Sequence, residues 1–178
     1  MAYVAAAVLA AVSLTALLFA GGEACANVPS MTSTEACQQT NKWEQLCQQT
    51  LQTAPDTAEV TVFALVATRL AKSAYEDTLS ALDQMLGPGN LPGAERLAID
   101  NCKETYSTAL SKMAGVVDHM SACDFSLASK EYIDAEAGVR SCLEGLQPYQ
   151  FLPLFGKVSA DHDLTLVAYL LGAIIVGR

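Results

Sequence analysis

Apolar side chains recur every three or four residues along two adjoining stretches of the chain. In both stretches the spacing alternates between three and four without a break. The first row is Ile99, Cys102, Tyr106, Ala109, Met113, Val116 and Met120, and the second is Ala128, Tyr132, Ala135, Val139, Cys142 and Leu146. Such spacing places every member of a row on the same side of a helix. The pattern therefore predicts two amphipathic helices.

A short segment, Ser121–Asp124, separates the two rows, and its residue 122 lies midway between Cys102 and Cys142. A turn in this segment would make the two helices antiparallel. The two cysteines would then lie at the same height in the shared seam, with their side chains facing each other, as a disulfide requires. We therefore predict a helical hairpin closed by a bond between Cys102 and Cys142.

A longer apolar row precedes this hairpin and indicates another helix. Pro55–Thr57 provides start signals, and Gly87–Asn90 ends the segment before Pro92 opens the next helix. The apolar row comprises Val60, Phe63, Ala64, Ala67, Leu70, Ala71, Ala74, Thr78, Ala81, Leu82 and Met85. A broad apolar row with charged residues on the remaining surface is typical of a helix packed in a bundle.

The last helix is predicted over Leu164–Val176, with Asp161 as its cap after an irregular stretch that contains Pro148 and Pro153. It is apolar on nearly every side, and its length of about 13 residues is too short to span a bilayer. We interpret it as the fourth helix of a bundle, since the other three would otherwise leave their apolar rows uncovered. The alternative is a C-terminal tail that is removed when a lipid anchor is attached.

Upstream of these helices, Cys37 and Cys47 flank a short segment that predicts a small helical hairpin closed by their disulfide. A unit of this size cannot bury a core of its own. It must therefore dock through Trp43, Leu46 and Leu51, either on the bundle or on another molecule. The predicted fold class is all-α: an up-down-up-down four-helix bundle with an N-terminal disulfide-closed helical hairpin.

The first 26 residues have the composition of a secretory signal peptide. Val4–Ala20 is almost wholly apolar, and Ala24-Cys25-Ala26 is a small-residue site of the kind that signal peptidase cleaves. We predict cleavage after Ala26 and secretion of residues 27–178 into an oxidising compartment. Two alternatives are open: a transmembrane anchor of about 17 residues, and cleavage after Ala24, which would retain Cys25.

Cys123 has no assigned partner once the two hairpins are closed. It lies in the predicted turn between the second and third bundle helices. A bond to a retained Cys25, an intermolecular bond and a free thiol are all open, and so is a buried thiol without a role.

Size and charge narrow the classes of function. The chain has 178 residues, of which 52% are apolar and 16% are charged, as expected for one globular domain. Ten Lys and Arg residues against nineteen Asp and Glu residues give a net charge of -9, and removal of Glu23 with the leader changes this to 10 minus 18, or -8. Such a charge disfavours nucleic acid, anionic membranes and acidic polysaccharides as ligands. It fits a protein partner or a neutral ligand better.

The sequence carries little sign of catalysis. It has no H-E-x-x-H, G-x-S-x-G or C-x-x-C pattern, and His119 and His162 fall on different predicted helices. The acidic residues beside them, Asp118, Asp161 and Asp163, are more typical of solvated helix ends than of metal ligands. We therefore predict no catalytic residue, no metal site and no cofactor, and the chain is not expected to be an enzyme.

Four features together resemble the plant pectin methylesterase and invertase inhibitors. They are the leader, the N-terminal pair of cysteines, and one cysteine in each helix of the central hairpin. The segments that carry the resemblance are Cys37–Cys47, Asn101–Tyr106 and Val139–Gly145. The resemblance covers essentially all of residues 27–178 and implies an inhibitor domain, with the N-terminal hairpin over 27–54 and the bundle over 55–178.

The resemblance implies a secreted protein of the plant apoplast and cell wall, or of the vacuole, that binds a carbohydrate-acting enzyme and blocks its active site stoichiometrically. Members similar to invertase inhibitors can carry Pro-Lys-Phe near the start of the third bundle helix. The corresponding stretch here, Asp124–Leu127, has an aromatic residue but neither Pro nor Lys. Members similar to pectin methylesterase inhibitors use bundle faces instead. Pectin methylesterase is therefore slightly favoured as the target over invertase.

A disulfide-fixed bundle offers a rigid surface, so binding a target orders few groups. We predict that the contact surface includes outward residues of the central hairpin: Glu104, Lys112, Asp118, Phe125, Lys130, Glu131 and Asp134. A second copy of the chain is a further candidate partner, in a homodimer formed through the N-terminal hairpin. We expect no nucleic acid partner and no stable membrane anchor.

Two other functions compete with inhibition. One is a secreted helical carrier of apolar ligands, with Leu164–Val176 lining a cavity. The other is a pollen or structural protein that has the inhibitor fold but no inhibitory target, because a fold does not fix a function.

Overall fold

The computed structural model describes residues 25–87, 89 and 91–176. The predicted signal peptide, residues 1–26, lies outside the described residues except for Cys25 and Ala26. The regular elements are β1 (Ser30–Thr32), α1 (Ser33–Gln38), α2 (Glu44–Thr50), β2 (Thr57–Glu59), α3 (Val60–Leu86), α4 (Gly93–Ser121), α5 (Phe125–Gly145) and α6 (Pro153–Val176). Single turns of 3₁₀ helix lie at Asn41–Trp43 and Gln147–Tyr149.

The four long helices form the predicted four-helix bundle. Each packs against the helix that follows it in the chain, and α6 closes the ring by packing against α3 as well as α5. All thirteen apolar positions predicted for α4, α5 and the residue after α5 are at most 3% exposed. The alternating spacing of three and four therefore identified the buried side of both helices correctly.

The turn between α4 and α5 is also where the sequence predicts it. α4 begins directly after Pro92, which is pre-set for a helix start, and ends at Ser121. α5 begins at Phe125, and the Asp124 side chain caps it by accepting a 3.2 Å hydrogen bond from the Leu127 backbone N–H. Between them, Cys123 adopts a φ of 59°, in the left-handed region.

Three disulfides cross-link the chain and account for all six of its cysteines. Two of them join Cys37 to Cys47 and Cys102 to Cys142, with Cα atoms 5.4 and 4.6 Å apart, and both were predicted. The third joins the remaining two cysteines, Cys25 and Cys123, whose Cα atoms are 5.7 Å apart. This pairing is one of the alternatives that the sequence left open for Cys123.

The N-terminal hairpin docks on the bundle of its own chain. Cys37, Cys47 and Leu51 are at most 4% exposed and belong to the same buried cluster as the bundle helices. The Trp43 indole N–H donates a 3.1 Å hydrogen bond to Asp163 Oδ1 on α6. A two-stranded antiparallel pairing of β1 with β2 fixes the connection to α3.

Three details differ from the sequence-based prediction. Asp161, predicted as the cap of the last helix, is only 4% exposed in the middle of α6, which begins eight residues earlier at Pro153. In α3, Leu70 is 43% exposed, whereas Tyr75 is buried although it lies outside the predicted row. The strands β1 and β2 have three residues each, too few for an alternating pattern to be visible.

Among the described helices, α6 is long and apolar enough to cross a membrane by length and composition. In the bundle, however, Val167, Ala168 and Leu171 are completely buried against the other helices. This packing supports the interpretation of α6 as the fourth bundle helix, because loss of α6 as a cleaved tail would expose one side of the core.

Candidate functional site

The outer face of the α4–α5 pair is the candidate functional surface, because most of the predicted contact residues lie there. The two helices approach closely at Gly138, where an added Cβ would be 3.0 Å from the Thr105 carbonyl oxygen and 3.2 Å from Ala109 Cβ. The Cys102–Cys142 disulfide closes the same seam about one helical turn away. Small residues and a covalent bond therefore make this face rigid.

A charged cluster occupies the middle of the α4–α5 face. The Lys112 ammonium lies 3.6 Å from Glu131 Oε1 and 3.6 Å from Asp134 Oδ2, so one cation serves two carboxylates across the seam. Glu131 is held against α4 because Gly115 has no side chain at the position that its carboxylate fills. The result is a carboxylate with a fixed position rather than a freely moving surface group.

Of the seven predicted contact residues, Lys112, Glu131 and Asp134 are brought together by this cluster. Three others, Glu104, Asp118 and Lys130, are exposed, and no ion pair joins any of them to another residue in the described part of the chain. Their charges are therefore available to a partner.

Phe125, the seventh residue, does not point outward as expected. It is half-buried at the start of α5 and packs against the core. It lines a small crevice together with Met120 of α4, Tyr132 of α5 and Tyr169 of α6. An aromatic ring at the first position of a helix can cover the end of the bundle, and burial of its apolar area there stabilises the fold.

An apolar groove that the sequence did not predict lies at the other end of the α4–α5 face, near the Cys102–Cys142 bond. The groove is open, has a volume of about 290 Å³ and is lined by Leu97, Asn101, Thr105, Ser141, Pro148 and Tyr149, among others. Beside it, the ring of Tyr149 meets Phe151 edge to face, and Phe151 is 71% exposed. Leu97 is 62% exposed, and a leucine outside the apolar row of α4 was the one signal in the sequence.

The histidines and their acidic neighbours do not converge on a site. Asp161 points into the core, His162 Nε2 lies 3.1 Å from Glu136 Oε1 on α5, and Asp163 accepts from the N-terminal hairpin. His162 Nδ1 also lies 3.9 Å from Asp163 Oδ1, so Asp161 alone of these three side chains faces away from the other two. Within the described residues, no group of three His, Cys, Asp or Glu side chains could hold a metal ion.

A polar network lies inside the bundle, closed off from the surface. Asp161 Oδ2 accepts hydrogen bonds from the Thr78 hydroxyl at 2.6 Å and the Tyr106 hydroxyl at 3.0 Å. Beside it, the hydroxyls of Tyr75 and Thr165 are hydrogen-bonded to each other.

Burial raises the pKa values of Asp161, Tyr75 and Tyr106. All three groups are thereby biased towards their neutral forms, and none is open to a substrate. The network is a structural feature of the core.

Comparisons with known proteins agree with the four-helix fold. A family model described as plant invertase/pectin methylesterase inhibitor matches residues 32–159. A crystal structure of mutant form A of a pectin methylesterase inhibitor from Arabidopsis is similar over 82% of this chain and 98% of its own, with 16% identity and a TM-score of 0.72. A second crystal structure, of a pectin methylesterase inhibitor from Arabidopsis thaliana, is similar over 80% of this chain and 95% of its own, with 16% identity and a TM-score of 0.63. A search of curated protein sequences found no match.

Proposed function

This chain belongs to the plant invertase/pectin methylesterase inhibitor family, and we propose that it binds a pectin methylesterase and occludes its active site in a one-to-one complex. The family consists of inhibitors, so the chain itself is not an enzyme. The observation that carries the proposal is the α4–α5 face, which combines a rigid frame with exposed and unpaired charges.

Rigidity favours inhibition because a surface that is already ordered loses little conformational entropy when it binds. Gly138 and the Cys102–Cys142 bond fix the two helices, and the Lys112 cluster fixes the side chains between them. An apolar groove at one end and charged groups along the rest give the face both hydrophobic and polar contacts, as protein interfaces have.

Charge supports a protein partner with a basic surface. A net charge of -9 for the whole sequence repels acidic pectin, so the inhibitor would not be retained by the substrate of its own target. The same charge attracts a basic enzyme and speeds their encounter. The affinity should therefore decrease as the pH approaches the sequence pI of about 4.5.

Pectin methylesterase is favoured over invertase as the target for two reasons. Two similar solved structures are described as pectin methylesterase inhibitors. At the start of α5, the stretch Asp124–Leu127 lacks the Pro-Lys-Phe that inhibitors of invertase can carry, and Phe125 is half-buried rather than presented to a partner. We place the protein outside the cell, in the apoplast and cell wall, with the vacuole as the second location.

The competing functions have weaker support. Four cavities among the described residues, of about 290 to 460 Å³ each, are open surface grooves, whereas a carrier of apolar ligands needs an enclosed hollow. The N-terminal hairpin docks on its own bundle, so homodimerisation through it would require the hairpin to detach and exchange. Only an activity assay distinguishes the proposed inhibitor from a protein that has the inhibitor fold but no target.

The test is to titrate the oxidised, secreted protein into a pectin methylesterase and into an invertase, and to follow both activities. We expect pectin methylesterase activity to disappear at one molar equivalent, with a complex of matching mass in size-exclusion chromatography, while invertase activity is unchanged. An absence of inhibition of both enzymes would contradict the proposal, and inhibition of invertase alone would reassign the target.

The contact surface is tested with a matched pair of triple variants. Replacing Glu104, Asp118 and Lys130 together by alanine should weaken inhibition by on the order of tenfold or more, since these charges lie on the proposed surface. The control variant replaces Lys72, Glu76 and Asp77 on α3, which removes the same number of charges of each sign from a different face. Equal inhibition by both variants would move the contact surface away from α4 and α5.

A further inference from the structure

The turn between α4 and α5 has a cysteine, Cys123, in a backbone conformation that cysteine does not favour. The Asp124 N–H donates to the His119 carbonyl at 2.8 Å and the Cys123 N–H donates to the Met120 carbonyl at 3.2 Å, which is the hydrogen-bond pattern of a Schellman motif. The residue at the left-handed position of this motif is usually glycine or asparagine. Here it is Cys123, with a φ of 59°. Local turn chemistry does not explain this cysteine, whereas its bond to Cys25 does.

Cys25 is held near that turn by the chain that follows it. The Pro29 carbonyl accepts a 3.1 Å hydrogen bond from the Val60 N–H, and β1 pairs with β2 directly afterwards. Cys25 therefore lies four residues before Pro29, which is fixed at the end of the bundle where α3 begins. Cys25 itself is only 8% exposed.

The pairing of Cys25 with Cys123 bears on where signal peptidase cuts the leader. Cleavage after Ala26 would remove Cys25 and leave Cys123 unpaired at an exposed position in an oxidising compartment. Cleavage after Ala24 would keep all three disulfides. It also satisfies the small-residue rule, because Gly22 and Ala24 would occupy the two positions that signal peptidase reads.

We propose that signal peptidase hydrolyses the peptide bond between Ala24 and Cys25, so that Cys25 is the first residue of the secreted chain and forms a disulfide with Cys123. Water adds across the peptide bond and gives the Ala24 carboxylate and the Cys25 amine. The two thiols then lose two electrons and two protons to a disulfide of a thiol oxidoreductase, which is reduced to its dithiol. The proposal uses the predicted signal peptide and is independent of the enzyme that the protein inhibits.

This third disulfide has a structural consequence for the N-terminal hairpin. It ties the segment before β1 to the α4–α5 turn, and β1 leads directly into α1. Loss of the bond would free one end of the segment that holds the hairpin against the bundle. Faster amide hydrogen exchange in β1 and α1 should accompany reduction or mutation of the Cys25–Cys123 pair.

The first test is to secrete the full-length chain from a eukaryotic host and to alkylate it without prior reduction. N-terminal sequencing and intact mass should give Cys25 as the first residue and no alkylated thiol, and peptide mapping should recover Cys25 linked to Cys123. A chain that begins at Asn27 with Cys123 alkylated, or at any other residue, would overturn the assigned cleavage site.

The second test compares the variants C25S, C123G and C25S/C123G. Glycine at 123 suits the left-handed backbone, so C123G removes the disulfide without harming the turn. C25S should lower the Tm by roughly 5–15 °C for one disulfide in a chain of this size, and C123G by less, because glycine relieves the left-handed backbone. The double variant should be no less stable than C25S. A C25S variant with an unchanged Tm would contradict the proposal. Inhibition is not used as a readout, so failure here and failure of the proposed function are distinguishable.

Discussion

The hydroxyl of Tyr106 on α4 donates a 3.0 Å hydrogen bond to the buried carboxylate of Asp161 on α6, across the centre of the bundle. Thr78 on α3 donates to the same oxygen, so three of the four helices meet at one acidic group. Removal from water is the main cause of the raised Asp161 pKa, and these two donors oppose it only in part. Nearby Lys157 also lowers the pKa, whereas Asp77 raises it.

The first prediction concerns the pH dependence of stability. Because the pKa of Asp161 is higher in the folded chain than in the unfolded chain, the folded state binds the proton more tightly. The contribution of Asp161 to the free energy of unfolding should therefore fall as the pH rises from about 3.9 through the folded pKa, and be constant above it. Replacing Asp161→Asn should flatten this dependence. Urea unfolding of both proteins between pH 4 and 7 measures it.

The matched control for this prediction is Asp100→Asn, which changes an exposed carboxyl on α4. Its unfolding free energy should follow that of the parent protein at every pH. If the unfolding free energy of D161N also followed that of the parent protein at every pH, the pKa of Asp161 would not be raised on folding, contrary to what its burial implies.

The second prediction concerns the donor. Tyr106→Phe leaves the Asp161 carboxylate with one hydroxyl donor instead of two, and the free energy of unfolding at pH 7 should fall by about 1–3 kcal/mol. Tyr149→Phe is the control, because its half-buried ring takes part in an edge contact rather than in this network. Chemical denaturation at pH 7 that gave the same stability for both variants would argue against a stabilising role for the hydrogen bond.

The third prediction concerns the close approach of α4 and α5. Gly138→Ala would place a Cβ 3.0 Å from the Thr105 carbonyl oxygen, so the helices must separate, at a cost of about 1–3 kcal/mol. Gly145→Ala is the control, since nothing lies within 4 Å of a Cβ there and alanine favours a helix. Thermal unfolding should therefore show a lower Tm for G138A and an equal or higher Tm for G145A. The opposite order would disprove tight packing at Gly138.

The fourth prediction separates the charged cluster from the stability of the bundle. Gly115→Ala would place a Cβ where the Glu131 carboxylate lies, so the end of the Glu131 side chain would have to turn away from its position beside Lys112. The Tm should change little, while inhibition of pectin methylesterase should change because Glu131 leaves Lys112. This result would link the cluster to binding. An unaltered inhibition constant would show that the position of Glu131 does not matter for the target.

The fifth prediction concerns the docking of the N-terminal hairpin. Trp43→Phe keeps an aromatic ring but removes the N–H that donates to Asp163, and should lower the free energy of unfolding by about 1 kcal/mol. Hydrogen exchange should increase in α1 and α2 but not in α4 and α5. Lys42→Ala, beside it, removes a cation near the Trp43 ring and should have a smaller effect. Uniform loss of protection over the whole chain would mean that the hairpin does not open independently.

The sequence predicts the fold best where its apolar residues recur with a regular helical spacing. The row from Ile99 to Met120 alternates strictly, and every member is buried. Pro148 and Pro153 interrupt the apolar pattern before α6, and aspartate is a common helix cap, so the sequence predicts that the last helix begins near Leu164 rather than at Pro153. The bundle in fact encloses Asp161 by supplying hydroxyls from two other helices, and a single helix cannot reveal donors that tertiary packing provides.

The candidate site was predictable only in part, for a related reason. Lys112, Glu131 and Asp134 could be assigned to facing helices once the turn was placed, and they do meet. The groove beside Leu97 could not be predicted, because one of its walls is the segment after α5, whose path depends on the packing of the whole bundle. Phe125 is half-buried rather than directed outward, and the first residue of a helix has no preceding turn from which the sequence could predict its direction.

The position of α6 in the chain determines when the protein can fold. α6 supplies one of the four walls of the core, and it leaves the ribosome after the other three helices have been made. Until then, the parts of α3 and α5 that α6 covers in the finished bundle stay exposed, although α4 packs against both helices. Closure of the bundle is therefore a late event, completed only after the synthesis of α6.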